Sequence, residues 1–139
     1  MSQNFKSQVI ADRCIYMHPL AQQIMKEMIT WIEAKGENAV ITETVTTLKE
    51  DAKVSRKHST HREGRAFDVR TRDWPRELVK EFETHFEKLY GSMGAVGSVT
   101  LIPNFLLFHD IGHGEHFHVQ LAKRYAVEVP KDMDAKKIA

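Results

Sequence analysis

Apolar side chains recur at spacings of three and four in two stretches of this chain. Leu20, Ile24, Met28, Trp31 and Ile32 make one such face, opened by His18-Pro19 and closed by Gly36. A proline fits a first helical turn and a glycine fits a helix stop, so a helix is expected from Pro19 to about residue 35. Leu78, Val79, Phe82, Phe86 and Leu89 make the second face. That helix is expected to start at Asp73-Trp74-Pro75, with Asp73 or Trp74 as cap, and to end near Tyr90. Gly91, Gly94 and Gly97 then break the chain. Residues 39–46 are rich in β-branched side chains, and residues 65–70 and 115–121 alternate, so all three read as strands. Residues 99–102 and 105–109 read as a hairpin joined by Pro103-Asn104. Residues 1–17 carry a short apolar set (Val9, Ile10, Ile15, Tyr16) and are expected to form a brief strand or extended arm. Residues 47–60 are polar without a period and read as a loop with room for one helical turn. The order helix, strand, strand, helix and several strands predicts an α+β fold, a mainly antiparallel sheet flanked by helices. The expected domain covers residues 1–125, and polar residues 126–139 are expected to be a loose tail.

Composition narrows the class. A chain of 139 residues with 42% hydrophobic and 28% charged content is long enough for one domain with a real core. A net charge of +1 gives no electrostatic case for nucleic acid. Cys14 is the sole cysteine, so no internal disulfide forms, and its expected role is that of a small buried apolar residue. No stretch resembles a membrane span, and the opening residues Met1 to Lys6 lack an apolar signal core. The expectation is a soluble protein, cytoplasmic as synthesised, without membrane insertion.

The chemistry concentrates in two segments. His61 and Asp68 stand seven positions apart with Gly64 between them. That spacing does not suit one helix face, but it suits a loop ligand and a strand ligand joined by a turn. On a strand, Ala66, Asp68 and Arg70 share a face, so Arg70 would lie beside Asp68 while Phe67 and Val69 enter the core. In the second segment, Glu115-His116-Phe117-His118, two readings stay open. Strict alternation puts His116 and His118 on one face as an HxH metal pair. Alternatively His118 alone is the ligand, and Glu115, in the turn after Gly114, is a general base. His18, His58 and His85 need no function, whereas His109 and His113 flank the second segment.

The first segment, Ser59-x-His61-x-x-Gly64-x-Ala66-x-Asp68, resembles the SxHxxGxAxD signature of zinc D-Ala-D-Ala carboxypeptidases and dipeptidases of the VanX and VanY type. That group also includes bacteriophage L-alanyl-D-glutamate endopeptidases. Glu115-x-x-His118 resembles the group's second signature, ExxH, and the recognisable part covers residues 40–121. The resemblance implies a small α+β fold shared with the hedgehog signalling domain. It implies one zinc ion held by His61, Asp68 and His118, with Glu115 as catalytic base and His116 as a neighbour able to touch substrate. Ser59 would orient the loop or a ligand. Many members carry an arginine at the end of the strand before the first signature, where this chain has Thr44-Val45-Thr46-Thr47. Arg56, Arg65 or Arg70 would have to substitute, with Arg70 preferred for sharing a face with Asp68. The expected function is hydrolysis of a peptide bond in the peptidoglycan stem. The enzyme would be an endolysin-like monomer needing a holin-type release step, or a D-Ala-D-Ala carboxypeptidase or dipeptidase. The alternative is a non-catalytic zinc-binding module of hedgehog-like type.

Overall fold

The computed structural model describes residues 4–97, 101–109, 114–131 and 133. Four strands form an antiparallel sheet in the order β1 (Ile41–Glu43), β2 (Ala66–Arg70), β6 (His116–Gln120), β5 (Leu106–His109). With helices α2 (Pro19–Ala34) and α4 (Arg76–Tyr90), this is the α+β architecture that the periodicities predict.

The central strands owe their place to alternation. Phe67 and Val69 of β2 pair with Val119 and Phe117 of β6, and all four are buried on the face covered by the helices. Phe82 of α4 stacks on Phe117 with ring centroids 5.2 Å apart and meets Phe86 at 4.8 Å. Ile24, Met28 and Ile32 bring the buried stripe of α2 into the same core. Each such fully buried side chain contributes roughly 2 kcal/mol from area removed from water. The start of α2 is as expected: Pro19 occupies the first turn and the Leu20 amide donates to His18 Nδ1 at 2.9 Å. Its stop is Gly36, at φ +82°.

Several local expectations change. Residues 8–16 are helical, as α1 (Gln8–Asp12) followed by a 3-10 turn (Arg13–Tyr16), and the residues before them contribute a single bridge, Phe5 to Ile41. There Ile41 donates to the Asn4 carbonyl at 2.7 Å and Lys6 donates to the Ile41 carbonyl at 2.9 Å, which covers the edge of β1. Strand β1 spans three residues rather than eight positions. The polar stretch after it contains helix α3 (Leu48–Lys53), started by a reciprocal capping box between Thr47 and Glu50. The position before α4 is Pro75, not Asp73 or Trp74. Pro103–Asn104 is no hairpin turn but strand β4, paired with β3 (Ala95–Val96). Part of the first predicted hairpin strand lies outside the described residues. The segment after residue 125 is not loose where it is described. Val127 donates to the Glu63 carbonyl at 2.8 Å, and Met133 is buried in the core.

Candidate metal centre

Alternation sends the other side chains of the same strands to the opposite face of the sheet. Asp68 stands directly across from His118, and Arg70 across from His116. On the far side of β6, Leu107 and His109 of β5 continue the two rows. His61 reaches this face from the loop before β2. That loop is a tight turn, in which Glu63 donates to the Ser59 carbonyl at 2.9 Å and Gly64 to the His61 carbonyl at 3.1 Å. Gly64 has φ +67°, and a Cβ there would come within 2.8 Å of the Tyr16 carbonyl oxygen, so both conformation and space require glycine.

A buried carboxylate anchors the loop. Asp51 of α3 accepts from Thr46 Oγ1, Arg56 and Arg62, each at 2.7 Å. Burial opposes its ionisation, but these three donors outweigh it and hold its carboxyl below the usual range. Arg62 is the neighbour of His61, so the Asp51 hub ties α3 to the turn that carries the histidine.

Three donor atoms converge. His61 Nε2 lies 3.3 Å from Asp68 Oδ1, and His118 Nδ1 lies 3.0 Å from the same oxygen. His61, Asp68 and His118 each offer a ligand atom, all within 4.8 Å of one another. The outer contacts fix how these atoms face each other. His61 Nδ1 meets the Thr44 carbonyl at 2.7 Å. A carbonyl only accepts, so Nδ1 carries the hydrogen and Nε2 presents a lone pair. On His118, Nε2 meets Gln120 Oε1 at 3.0 Å, while the Gln120 amide donates to the Asn104 carbonyl, also at 3.0 Å. The hydrogen of His118 therefore sits on Nε2, and Nδ1 faces Asp68 with its lone pair. Thr60 Oγ1 stands 3.4 Å from the same Nε2.

Lone pairs aimed at a carboxylate repel unless a proton or a metal cation lies between them. Among the described residues, His61 Nε2 is buried with no hydrogen-bond partner. An orphaned buried nitrogen beside an anion, with each imidazole oriented by an acceptor behind it, is the arrangement a metal ion satisfies. This buried group could bind one metal ion, and the donor set fits. Burial opposes the charge on Asp68, but His61 and His118 hold its carboxyl well below the usual carboxylate range. Burial likewise opposes protonation of His61, and without a metal ion the Asp68 charge overrides it, raising the imidazole pKa; a bound cation would take the place of that proton. The side chains of His61, Asp68 and His118 are 1%, 10% and 15% exposed, so the centre opens to solvent on the His118 side.

Other expected residues fall differently. His116 shares the face of His118, as strict alternation requires. Its Nδ1 meets the Gly114 carbonyl at 3.2 Å, and its Nε2 stands 3.9 Å from Asp68 Oδ2, on the rim of the centre. His109 stacks on the His116 ring at 5.4 Å, and burial followed by the nearby imidazoles lowers its pKa. Glu115 is not among the three residues whose ligand atoms converge. Its carboxylate is ion-paired with Arg76 at the start of α4. The Arg76 guanidinium lies 5.8 Å above the Phe108 ring, and Phe108 packs on Phe117, so this pair belongs to the helix-covered side. Arg70 keeps its place on the metal face, opposite His116. The arginine whose charge acts on His61 is Arg56. Ser59 acts through its backbone carbonyl in the turn. His18 caps α2, His85 stacks on Trp31 at 5.7 Å, His58 is exposed, and His113 lies outside the described residues. Burial pushes the Cys14 thiol up to about 11, with Lys26 only partly opposing, so it is no nucleophile near neutral pH.

Sequence reasoning missed Glu43. It is the Cα partner of Asp68 across β1 and β2, and it is half-buried. Burial raises its pKa first, with the charges of His61 and Arg56 opposing and that of Asp68 adding. Sequence alternation groups Glu43 with Ile41, which faces the core. A bulge breaks that alternation, since Ile41 pairs with Val69 and Glu43 with Asp68. A groove of about 850 Å³ beside α2, lined by Lys26, Glu27, Trp31 and His85 among others, holds none of the centre's residues.

Compared with protein-family models, curated proteins and solved structures, the chain matches none. Among the described residues, no helix is long and apolar enough to cross a membrane.

Proposed function

We propose that this chain is a zinc-dependent peptidase that hydrolyses a peptide bond in the peptidoglycan stem. The observation that supports it most is the orphaned Nε2 of His61, which shares Asp68 Oδ1 with Nδ1 of His118. Two neutral imidazoles and one carboxylate, open on one side, form the three-ligand set of catalytic zinc. A zinc ion there would act as a Lewis acid and activate water near neutral pH. The protein's own part is to hold the ligands in place. Thr44 and Gln120 fix the two histidine tautomers, and the Asp51 hub fixes the loop of His61. Arg70, on the metal face opposite His116, is the candidate to stand in for the arginine absent from residues 44–47 and to favour developing negative charge on a substrate carbonyl, since Arg56 is held in an ion pair with Asp51. The substrate class rests on the SxHxxGxAxD pattern, whose histidine and aspartate are the two residues that meet here. The same reading makes the protein a monomer that reaches the wall through a separate release step, with no role for nucleic acid or membrane insertion.

Mass spectrometry of peptidoglycan fragments after incubation with the zinc-loaded protein tests this. New termini between L-Ala and D-Glu, or between two D-Ala residues, are expected and would decide the bond. Intact fragments would count against the peptidase. A second reading, a metal-binding module without hydrolysis, draws on the ion pair that engages Glu115 with Arg76. It requires that zinc bind stoichiometrically while fragments stay whole.

A further inference from the structure

We propose that the exposed surface of α3 and of the turn after it docks acidic stem peptides of the cell wall; the wall as partner rests on the peptidase reading above. Charge is unevenly spread along this chain. Residues 47–62 hold five Lys and Arg against two carboxylates, Glu50 and Asp51, in a protein whose net charge is only +1. Both carboxylates are already engaged. Arg13 pairs with Glu50, and Arg56 and Arg62 pair with Asp51. Lys49, Lys53 and Lys57 are exposed, and among the described residues none of them has an ion pair. Lys49 and Lys53 stand four residues apart on α3 and so share one side of it. A local excess of unpaired cations on a nearly neutral protein is where an anionic partner lands.

The apolar neighbours narrow the partner. Leu48 and Val54, at either end of α3, are 68% and 64% exposed. Aliphatic side chains left in water among unpaired cations fit a polymer that mixes carboxylates with small apolar groups. Stem peptides do so, with alanine methyls beside free carboxylates. A nucleic-acid backbone matches the charge and offers nothing for Leu48 and Val54 to touch. The surface also lies close to the metal centre. Lys57 precedes His61 by four residues, so at most about 14 Å of chain separates them. Asp51 holds that segment on both sides, through Arg56 and Arg62. A wall strand caught here keeps its neighbouring stem peptides near the metal centre and raises their local concentration.

Co-sedimentation with purified wall, stripped of phosphate polymers, reads the binding directly. Wild-type binding should weaken steeply from about 50 to about 400 mM NaCl. A variant with Lys49→Gln, Lys53→Gln and Lys57→Gln should keep its melting temperature and bind about 10-fold more weakly at low salt, with little salt dependence left. Lys49→Arg, Lys53→Arg and Lys57→Arg together should bind as wild type. Amidating the wall's carboxylates with a carbodiimide and ammonia should weaken wild-type binding as much as the glutamines do. Leu48→Ser with Val54→Ser should lower the binding that remains at high salt. In turnover, the glutamine variant should show a KM about 10-fold higher on intact wall and an unchanged rate on a soluble muropeptide. Wild-type binding by the glutamine variant, or undiminished binding to amidated wall, would overturn the proposal. So would tighter binding to duplex DNA or to vesicles of anionic lipid than to wall. If the wild type cleaves no muropeptide, co-sedimentation still decides. Salt-sensitive wall binding that is lost with the lysines keeps the surface while the peptidase reading falls.

Discussion

The two faces of the four-stranded sheet are built from the same strands and do opposite work. On the helix side, Phe67, Val69, Phe117 and Val119 are buried against α2 and α4. Those apolar contacts need no partner beyond each other. On the other side, Asp68 and His118 alternate with those very residues and converge with His61, leaving a buried nitrogen unsatisfied. Stability is concentrated on one face and chemical potential on the other, a single peptide unit apart. Substitutions on the two faces should therefore separate folding from metal binding.

The sharpest break of that contrast lies in the core. Phe82→Ala removes a ring packed on Phe86 and Phe117 and is expected to cost about 3–5 kcal/mol, read by denaturant unfolding, without altering which residues hold the metal. A loss below about 1 kcal/mol would show that the helix face is not where stability resides.

On the metal face the expected effects run the other way. Gln120→Ala deletes the acceptor that fixes the tautomer of His118. Metal affinity should fall about 10- to 100-fold in a competition titration while the unfolding midpoint of the metal-free protein barely moves.

The Asp51 hub joins the two concerns, and acid probes it. The carboxyls of Asp51, Glu50 and Glu63 all sit below their usual range; burial opposes this in each, and bonded cations and other donors outweigh it. A lowered folded-state value means stability that is present above the unfolded pKa of about 4 and lost as pH falls through the folded one. The melting temperature should therefore fall steeply below about pH 4. Asp51→Asn should be less stable at neutral pH and less sensitive to acid. An acid profile identical to wild type would show that the hub contributes nothing.

The smallest effect is local. Thr47→Ala opens the capping box of α3 and should cost about 1 kcal/mol, again by denaturant unfolding. The change should leave metal affinity within about twofold if α3 acts on His61 through Asp51 rather than through its cap.

Which parts of this were legible in the sequence follows from how local their causes are. The helices α2 and α4 announced themselves because their core stripes repeat within one element. The pair Asp68 and His118 was legible because both lie on regularly alternating strands, and Gly64 marked the turn that returns His61 to them. Helix α3 was hidden because it buries little apolar surface; Leu48 is exposed, and only the Thr47-x-x-Glu50 signature gave a usable sign. Glu43 was hidden for a different reason. A bulge is a property of the strand pair, and its extra residue moves a side chain from one face to the other without any mark in composition. For Glu115, alternation pointed to the face opposite His118, and the ion pair with Arg76 depends on where α4 begins, which spacing within the second segment does not reveal.

The most direct measurement is the metal content of the purified protein and of His61→Ala after equal exposure to zinc and dialysis. One zinc per chain in the wild type and almost none in a folded His61→Ala protein is the expected result. Full zinc occupancy in the variant, or none in the wild type, would contradict a metal centre built on His61, Asp68 and His118.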